Sequence, residues 1–229
     1  MMILICIITL AIAVAAQWQV KRMYKRFSLI PSRSGYTGAE AARAILQTAG
    51  IADVKILEHE QIMGDHYDPR NKRLVLSSQT YHGTSLAALG VAAHEAGHAL
   101  QHKAAYAPLQ LRMAAVGVTH FASQMVAILP LVGIATGLLS SATGLTIMAL
   151  AWSMIMVFNL VTLPVEFDAS RRARQLLTQL GFITGRAEQN GVSQVLNAAA
   201  MTYVAAFVTS LLYMLGYLLP LFAGGRQRS

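Results

Sequence analysis

The chain has 229 residues, is 55% hydrophobic and only 12% charged, and has a mean hydropathy of +0.49. An average soluble domain is roughly 25% charged, so this composition excludes an ordinary soluble globule and implies a membrane protein with a modest polar portion. The net charge of +8 does not point to nucleic acid: Lys21, Arg22, Lys25 and Arg26 follow the first apolar run and Arg171, Arg172 and Arg174 follow the third, where charge reports topology. The lone cysteine, Cys6, sits in an apolar run and offers neither a disulfide framework nor a cysteine metal site.

Residues 2–20 have the length of one membrane span, closed by Gln17, Trp18 and Gln19. Their positive charge follows the apolar core instead of preceding it, which favours an uncleaved anchor over a secretory signal. The amino end is then outside and residue 21 onward is cytoplasmic. Residues 21–112 are expected to hold a compact α+β unit. Thr37 and Glu40 form a capping box for a helix over about 38–49, which Gly50 closes. Residues 54–57 read as a short strand, and the turn residues of His66-Tyr67-Asp68-Pro69-Arg70-Asn71-Lys72-Arg73 predict a hairpin into a strand over 74–77.

A helix from Thr84 or Ser85 to about Lys103 carries His94-Glu95-Ala96-Gly97-His98. Histidines four apart lie one turn from each other on one face, so both imidazoles can reach one zinc ion. Glu95 beside them can take the proton of a metal-bound water. It stands alone among alanine, valine and leucine, where an uncompensated charge is costly. The bland reading, two core histidines with backbone partners, leaves that charge unexplained.

Three apolar runs follow, at about 113–139, 144–164 and 198–222. Ser140-Ser141-Ala142-Thr143 between the first two is uncharged and suits the outer side, and the arginines after residue 164 return the chain to the cytoplasm. The expected organisation is therefore an anchor (1–20), the α+β unit (21–112), a transmembrane hairpin (113–164), a cytoplasmic segment (165–197) and a last span with its tail (198–229), about four transmembrane helices in all. The alternative for the last run is a re-entrant or interfacial hairpin. Gly133 and Gly137 form a small-xxx-small pair suited to close helix packing.

A catalytic zinc needs a third protein ligand. His102 continues the four-residue spacing but lies about 12 Å along the helix axis from His94 and cannot share its ion. His120 with Gln124 inside a span suits an interhelical hydrogen bond, and His59, His66 and His82 suit surface roles. Glu166, just past Pro164, either balances Arg171 or Arg172 or, lying on the motif helix's side of the membrane, completes a two-histidine, one-glutamate set.

The runs His66-Tyr67-Asp68-Pro69-Arg70-Asn71, Ala92-Ala93-His94-Glu95-Ala96-Gly97-His98-Ala99-Leu100-Gln101, Leu163-Pro164-Val165-Glu166-Phe167 and Val195 to Ala205 together resemble the YugP-type neutral zinc metallopeptidases of bacterial membranes, in the same order along nearly the whole chain. The resemblance implies a mainly α membrane protein with a small α+β zincin-like catalytic unit, in the bacterial cell membrane. It also implies one zinc ion per chain held by His94, His98 and Glu166, with Glu95 as general base of a metalloendopeptidase. Relatives commonly carry an acid four residues after the third ligand to orient a zinc histidine; here that position is Ser170, and the nearby acid is Asp168. The group that steadies the oxyanion stays open among Tyr203, Arg171, Arg172 and His66. Membrane-proximal protein or peptide segments are the expected substrates and the bilayer the expected surroundings. Nucleic acid is not expected, and a homo-oligomer or partner complex stays open. Two rivals are an intramembrane site-2-type protease, which would need an acid on a later span where only Asn159 comes close, and a non-catalytic scaffold stapled by zinc.

Overall fold

A computed structural model of the chain describes residues 1–60, 64–138 and 141–225. Along the chain these form α1 (Met2–Ser28), α2 (Gly38–Thr48), β1 (Lys55–His59), β2 (His66–Asp68), β3 (Arg73–Ser77), α3 (Ser78–Tyr81), α4 (Leu86–Lys103), α5 (Ala107–Thr136), α6 (Ala142–Gln179) and α7 (Arg186–Gly225). Among the described residues, α1, α5, α6 and α7 are the four helices long and apolar enough to cross a membrane. The protein is thus mainly helical with one small sheet.

The long helices run past the ends that hydropathy marks. α1 continues through Lys21 to Arg26, because lysine, arginine and methionine are good helix formers, and it ends at Ser28, shortly before Pro31. α6 passes straight through Pro164 and α7 through Pro220. Pro164 forfeits one backbone hydrogen bond, yet Glu166, Asp168 and Ser170 stay on a helix whose angular spacing is fixed. The last apolar run belongs to one continuous helix and is not a re-entrant hairpin. Gly137 lies beyond the end of α5 with φ +73°, so it ends the helix in a left-handed conformation and forms no packing stripe with Gly133.

Two compact units share these helices. The first comprises Met1–Ala16, Leu111–Leu163 and Thr202–Ser229. Within it Asn159 of α6 donates to the Ala206 carbonyl and to Ser210 Oγ of α7, each at 3.1 Å. Trp152 stacks on Tyr213 with ring centroids 4.4 Å apart, and Thr9 of α1 donates to the Tyr213 hydroxyl at 3.5 Å. Polar side chains here are used for helix pairing, as apolar surroundings demand. His120 lies 3.0 Å from Gln124 on its own helix, so that pair is intrahelical, not interhelical.

The second unit comprises Gln17–Gln110 and Pro164–Met201. The Thr37 hydroxyl accepts the Glu40 N–H while the Glu40 carboxylate accepts the Thr37 N–H, the reciprocal capping box that starts α2; Gly50, φ +62°, turns the chain after it. In the sheet, ordered β1-β3-β2, β3 is central, parallel to β1 and antiparallel to β2. Leu74 and Leu76 of β3 are fully buried, each contributing about 1.5–3 kcal/mol. They join Ile45 of α2, Leu89 of α4, Leu177 of α6 and Val192 of α7 in one core.

α4 sits at the middle of this core. Ser85 caps it, its hydroxyl accepting the Ala88 N–H, and Ala92, Ala93, Ala96 and Ala99 are buried. Methyl side chains let neighbouring backbones come close. At Gly97 even a methyl is too much: a Cβ there would meet the Ala169 carbonyl oxygen of α6 at 2.9 Å. That close approach brings the α4 histidines to the α6 carboxylate.

Candidate metal centre

His94 and His98 project from one face of α4, their rings edge to face with centroids 4.8 Å apart. Glu166 faces them from α6, with its Oε2 3.2 Å from His94 Nε2 and 3.6 Å from His98 Nε2. All three donor atoms lie within 4.8 Å of one another, a group that could hold a metal ion. The Glu166 side chain is 2% exposed, against 13% and 11% for His94 and His98. The carboxylate is therefore sealed in, while the imidazoles keep an opening.

The donors fit a zinc ion. Four ligands arranged tetrahedrally at roughly 2.0–2.1 Å from zinc stand about 3.3 Å from one another, and the two carboxylate-to-imidazole separations fall on either side of that figure. Both Nδ1 atoms are engaged away from the cluster: His94 Nδ1 with Ser170 Oγ at 3.1 Å, His98 Nδ1 with Gln101 Oε1 at 3.0 Å. Each histidine thus turns Nε2 inward, as imidazoles tethered from behind do at metal sites. Among the described residues the group has three protein donors, which leaves a tetrahedral position for water or substrate.

Glu95 stands next to this group but is held by another element. Its Oε2 accepts the backbone N–H of Tyr67 at 3.0 Å, an N–H that edge strand β2 turns away from β3. Burial pushes the Glu95 carboxyl up from its ordinary value, against the pull of His94 and His98. Burial pushes the His98 imidazole down, but Glu166 and Glu95 more than offset this and leave it raised.

The other histidines take no part. His102 Nδ1 lies 2.9 Å from the Tyr67 hydroxyl, His66 Nδ1 2.8 Å from the Gly64 carbonyl oxygen, and His82 Nε2 3.1 Å from Glu58. Of the oxyanion candidates, Arg171 and Arg172 are both paired to Asp168, His66 sits on β2, and Tyr203 belongs to the unit formed by the apolar ends of the helices. Sequence reading missed Gln101, a buried amide three residues after His98, and the Tyr67 N–H. For Gln101 the signal was its place one turn beyond a motif histidine; for a backbone N–H there is none.

The described residues thus combine four membrane-length helices with a two-histidine, one-carboxylate group that could hold a metal ion, beside a second glutamate. The chain belongs to the family described as "Putative neutral zinc metallopeptidase", whose model matches residues 2–222. It is 42% identical over 227 residues, 99% of this chain and 99% of the relative, to the Bacillus subtilis (strain 168) protein named "Putative membrane protease YugP". No solved structure gives a significant match.

Proposed function

We propose that the protein is a membrane-bound zinc metalloendopeptidase in which His94, His98 and Glu166 hold the metal and Glu95 carries the proton. The observation behind this reading is the convergence of the three donor atoms, both imidazoles tethered from behind, beside a carboxylate outside the donor set. A zinc ion held there would supply a Lewis acid for the peptide carbonyl and would lower the pKa of a water toward neutrality.

Glu95 does the proton work. Its Oε2 accepts the Tyr67 N–H, which holds the carboxylate that takes the proton of the attacking water and returns it to the leaving amine. Such a role is commonly worth about 10² to 10⁴ in rate. Tyr67 fixes the carboxylate without a side chain, so the base is aimed by the sheet itself. β2 is an edge strand, and an extended substrate backbone laid along it would pass Glu95 in a zincin-like arrangement.

The positive residues after the first and third apolar runs favour a cytoplasmic active site. Residues 21–112 and 165–197 would then form the catalytic unit, acting on membrane-proximal segments of other proteins. Asn159 is committed to Ala206 and Ser210, which disfavours a site-2-type role for it.

The test is zinc content and casein cleavage of purified protein in mild detergent. Wild type is expected to hold one zinc and cleave, Glu95→Gln to hold zinc without cleaving, and Glu166→Gln to lose zinc. Both variants keeping zinc and activity would overturn the mechanism. Zinc without cleavage in the wild type would favour the scaffold.

A further inference from the structure

Gln101 is fully buried on α4, and its amide makes three hydrogen bonds that leave its orientation no choice. Its Nε2 donates to the Val165 carbonyl at 2.8 Å and to Asp168 Oδ2 at 2.9 Å. Both partners only accept, so both N–H groups are spent there and the amide cannot be turned over. Oε1 must then face His98 Nδ1, 3.0 Å away. An amide oxygen only accepts, so Nδ1 must carry the proton, and the lone pair of a neutral His98 ring sits on Nε2, towards Glu166.

Asp168 is fixed in turn by Arg171 and by Arg172, whose Nε donates to Oδ2 at 2.6 Å. A chain of oriented groups therefore runs from the arginines through Asp168 and Gln101 to His98. Asp168 lies two residues from Glu166, about 200° around the helix, and so cannot share the face that Glu166 turns to the histidines. The amide spans that gap. Val165 and Asp168 also flank Glu166 in sequence, so Gln101 clasps α6 on either side of the carboxylate.

We infer that Gln101 is a positioning residue that carries the Asp168 carboxylate's influence to His98, fixing its Nδ1–H tautomer and setting the approach of α4 to Glu166. This rests on the reading of His94, His98 and Glu166 as zinc ligands. His94, whose Nδ1 meets a serine hydroxyl that can donate or accept, is the more weakly steered of the two imidazoles.

The experiment measures zinc affinity by chelator competition and the visible spectrum of the cobalt-substituted protein, on full-length chain in detergent. Gln101→Met keeps volume and helix propensity but has no donor and only a weakly accepting sulfur; it is expected to lose about 10- to 100-fold in zinc affinity and to alter the cobalt spectrum. Gln101→Glu alone sets two carboxylates against each other and is expected to lose affinity as well. Gln101→Glu combined with Asp168→Asn restores an acceptor for His98 Nδ1 and a donor between positions 168 and 101 but leaves a carboxylate oxygen against the Val165 carbonyl, and is expected to regain part of the affinity lost in the Gln101→Glu single variant. Wild-type affinity and an unchanged spectrum in Gln101→Met overturn the inference while leaving the metal reading standing. A wild type without zinc removes both.

Discussion

Replacing Gly97 by alanine adds one methyl to α4 without touching a ligand. On an unconstrained helix the change would stabilise by about 1 kcal/mol, the propensity difference between the two residues. Here the new Cβ would lie 2.9 Å from the Ala169 carbonyl oxygen and 3.3 Å from its Cα. These are backbone atoms of a fully buried residue, so no rotamer change relieves the contact, and the helices must part by about 0.5 Å to reach ordinary separation. Metal sites tolerate about 0.2 Å in ligand distance. Overpacking of this kind costs about 1–3 kcal/mol, which outweighs or cancels the propensity gain. Zinc affinity should fall about 10- to 100-fold, the effect of disturbing ligand support. Gly90→Ala is the control on the same helix: its Cβ would meet Val192 Cγ1 at 3.4 Å, ordinary contact with a side chain, so that variant should keep wild-type zinc affinity. Chelator competition and thermal unfolding, run on both variants, decide the matter. If Gly97→Ala behaves like Gly90→Ala, close approach of α4 and α6 does not set the ligand geometry.

Asn159→Leu removes the two hydrogen bonds to Ala206 and Ser210 and should destabilise the helix pair by about 0.6–2 kcal/mol, read by unfolding in detergent, with zinc content unchanged. Stripping the metal with a chelator should abolish cleavage and lower thermal stability, and returning zinc at 100 times its dissociation constant should restore about 2.7 kcal/mol; stability indifferent to the metal would count against a native-state site. Asp68, held well below the usual carboxylate range by the Asn71 side chain and amide and by Arg73, should stabilise the β2–β3 turn at all pH values above about 4. Because its folded value is depressed, that contribution is lost as pH falls through it. Asp68→Asn should flatten this dependence in hydrogen exchange of the hairpin amides.

Much of this architecture was legible because short-range chemistry decides it. The Thr37–Glu40 box, the Ser85 cap and the turn between Asp68 and Arg73 depend on residues within a few positions of each other. Apolar runs mark the four long helices for the same reason. What the runs hide is where those helices end: Pro164 and the arginines beyond it look like a terminus, whereas tertiary packing of Val165, Ala169, Ala173 and Leu177, all fully buried, carries α6 onward. α3 is four residues long and has no periodicity to read. The histidines and Glu95 announce themselves by i, i+4 spacing. Gln101, by contrast, ends an apolar run beside His102 and Lys103 and looks like surface; only the partners on α6, 64 and 67 residues away, make its amide a buried clasp.

The β2 edge of the sheet has a bearing on self-association. A free strand edge is a template on which other chains, including copies of the same protein, can pair and aggregate. β2 limits that hazard by being three residues long, and its outward N–H at Tyr67 is already committed to Glu95. A stray strand would have to displace a carboxylate to reach that N–H. The same economy restricts adventitious guests, so a peptide that docks productively must bring further contacts from beyond the strand.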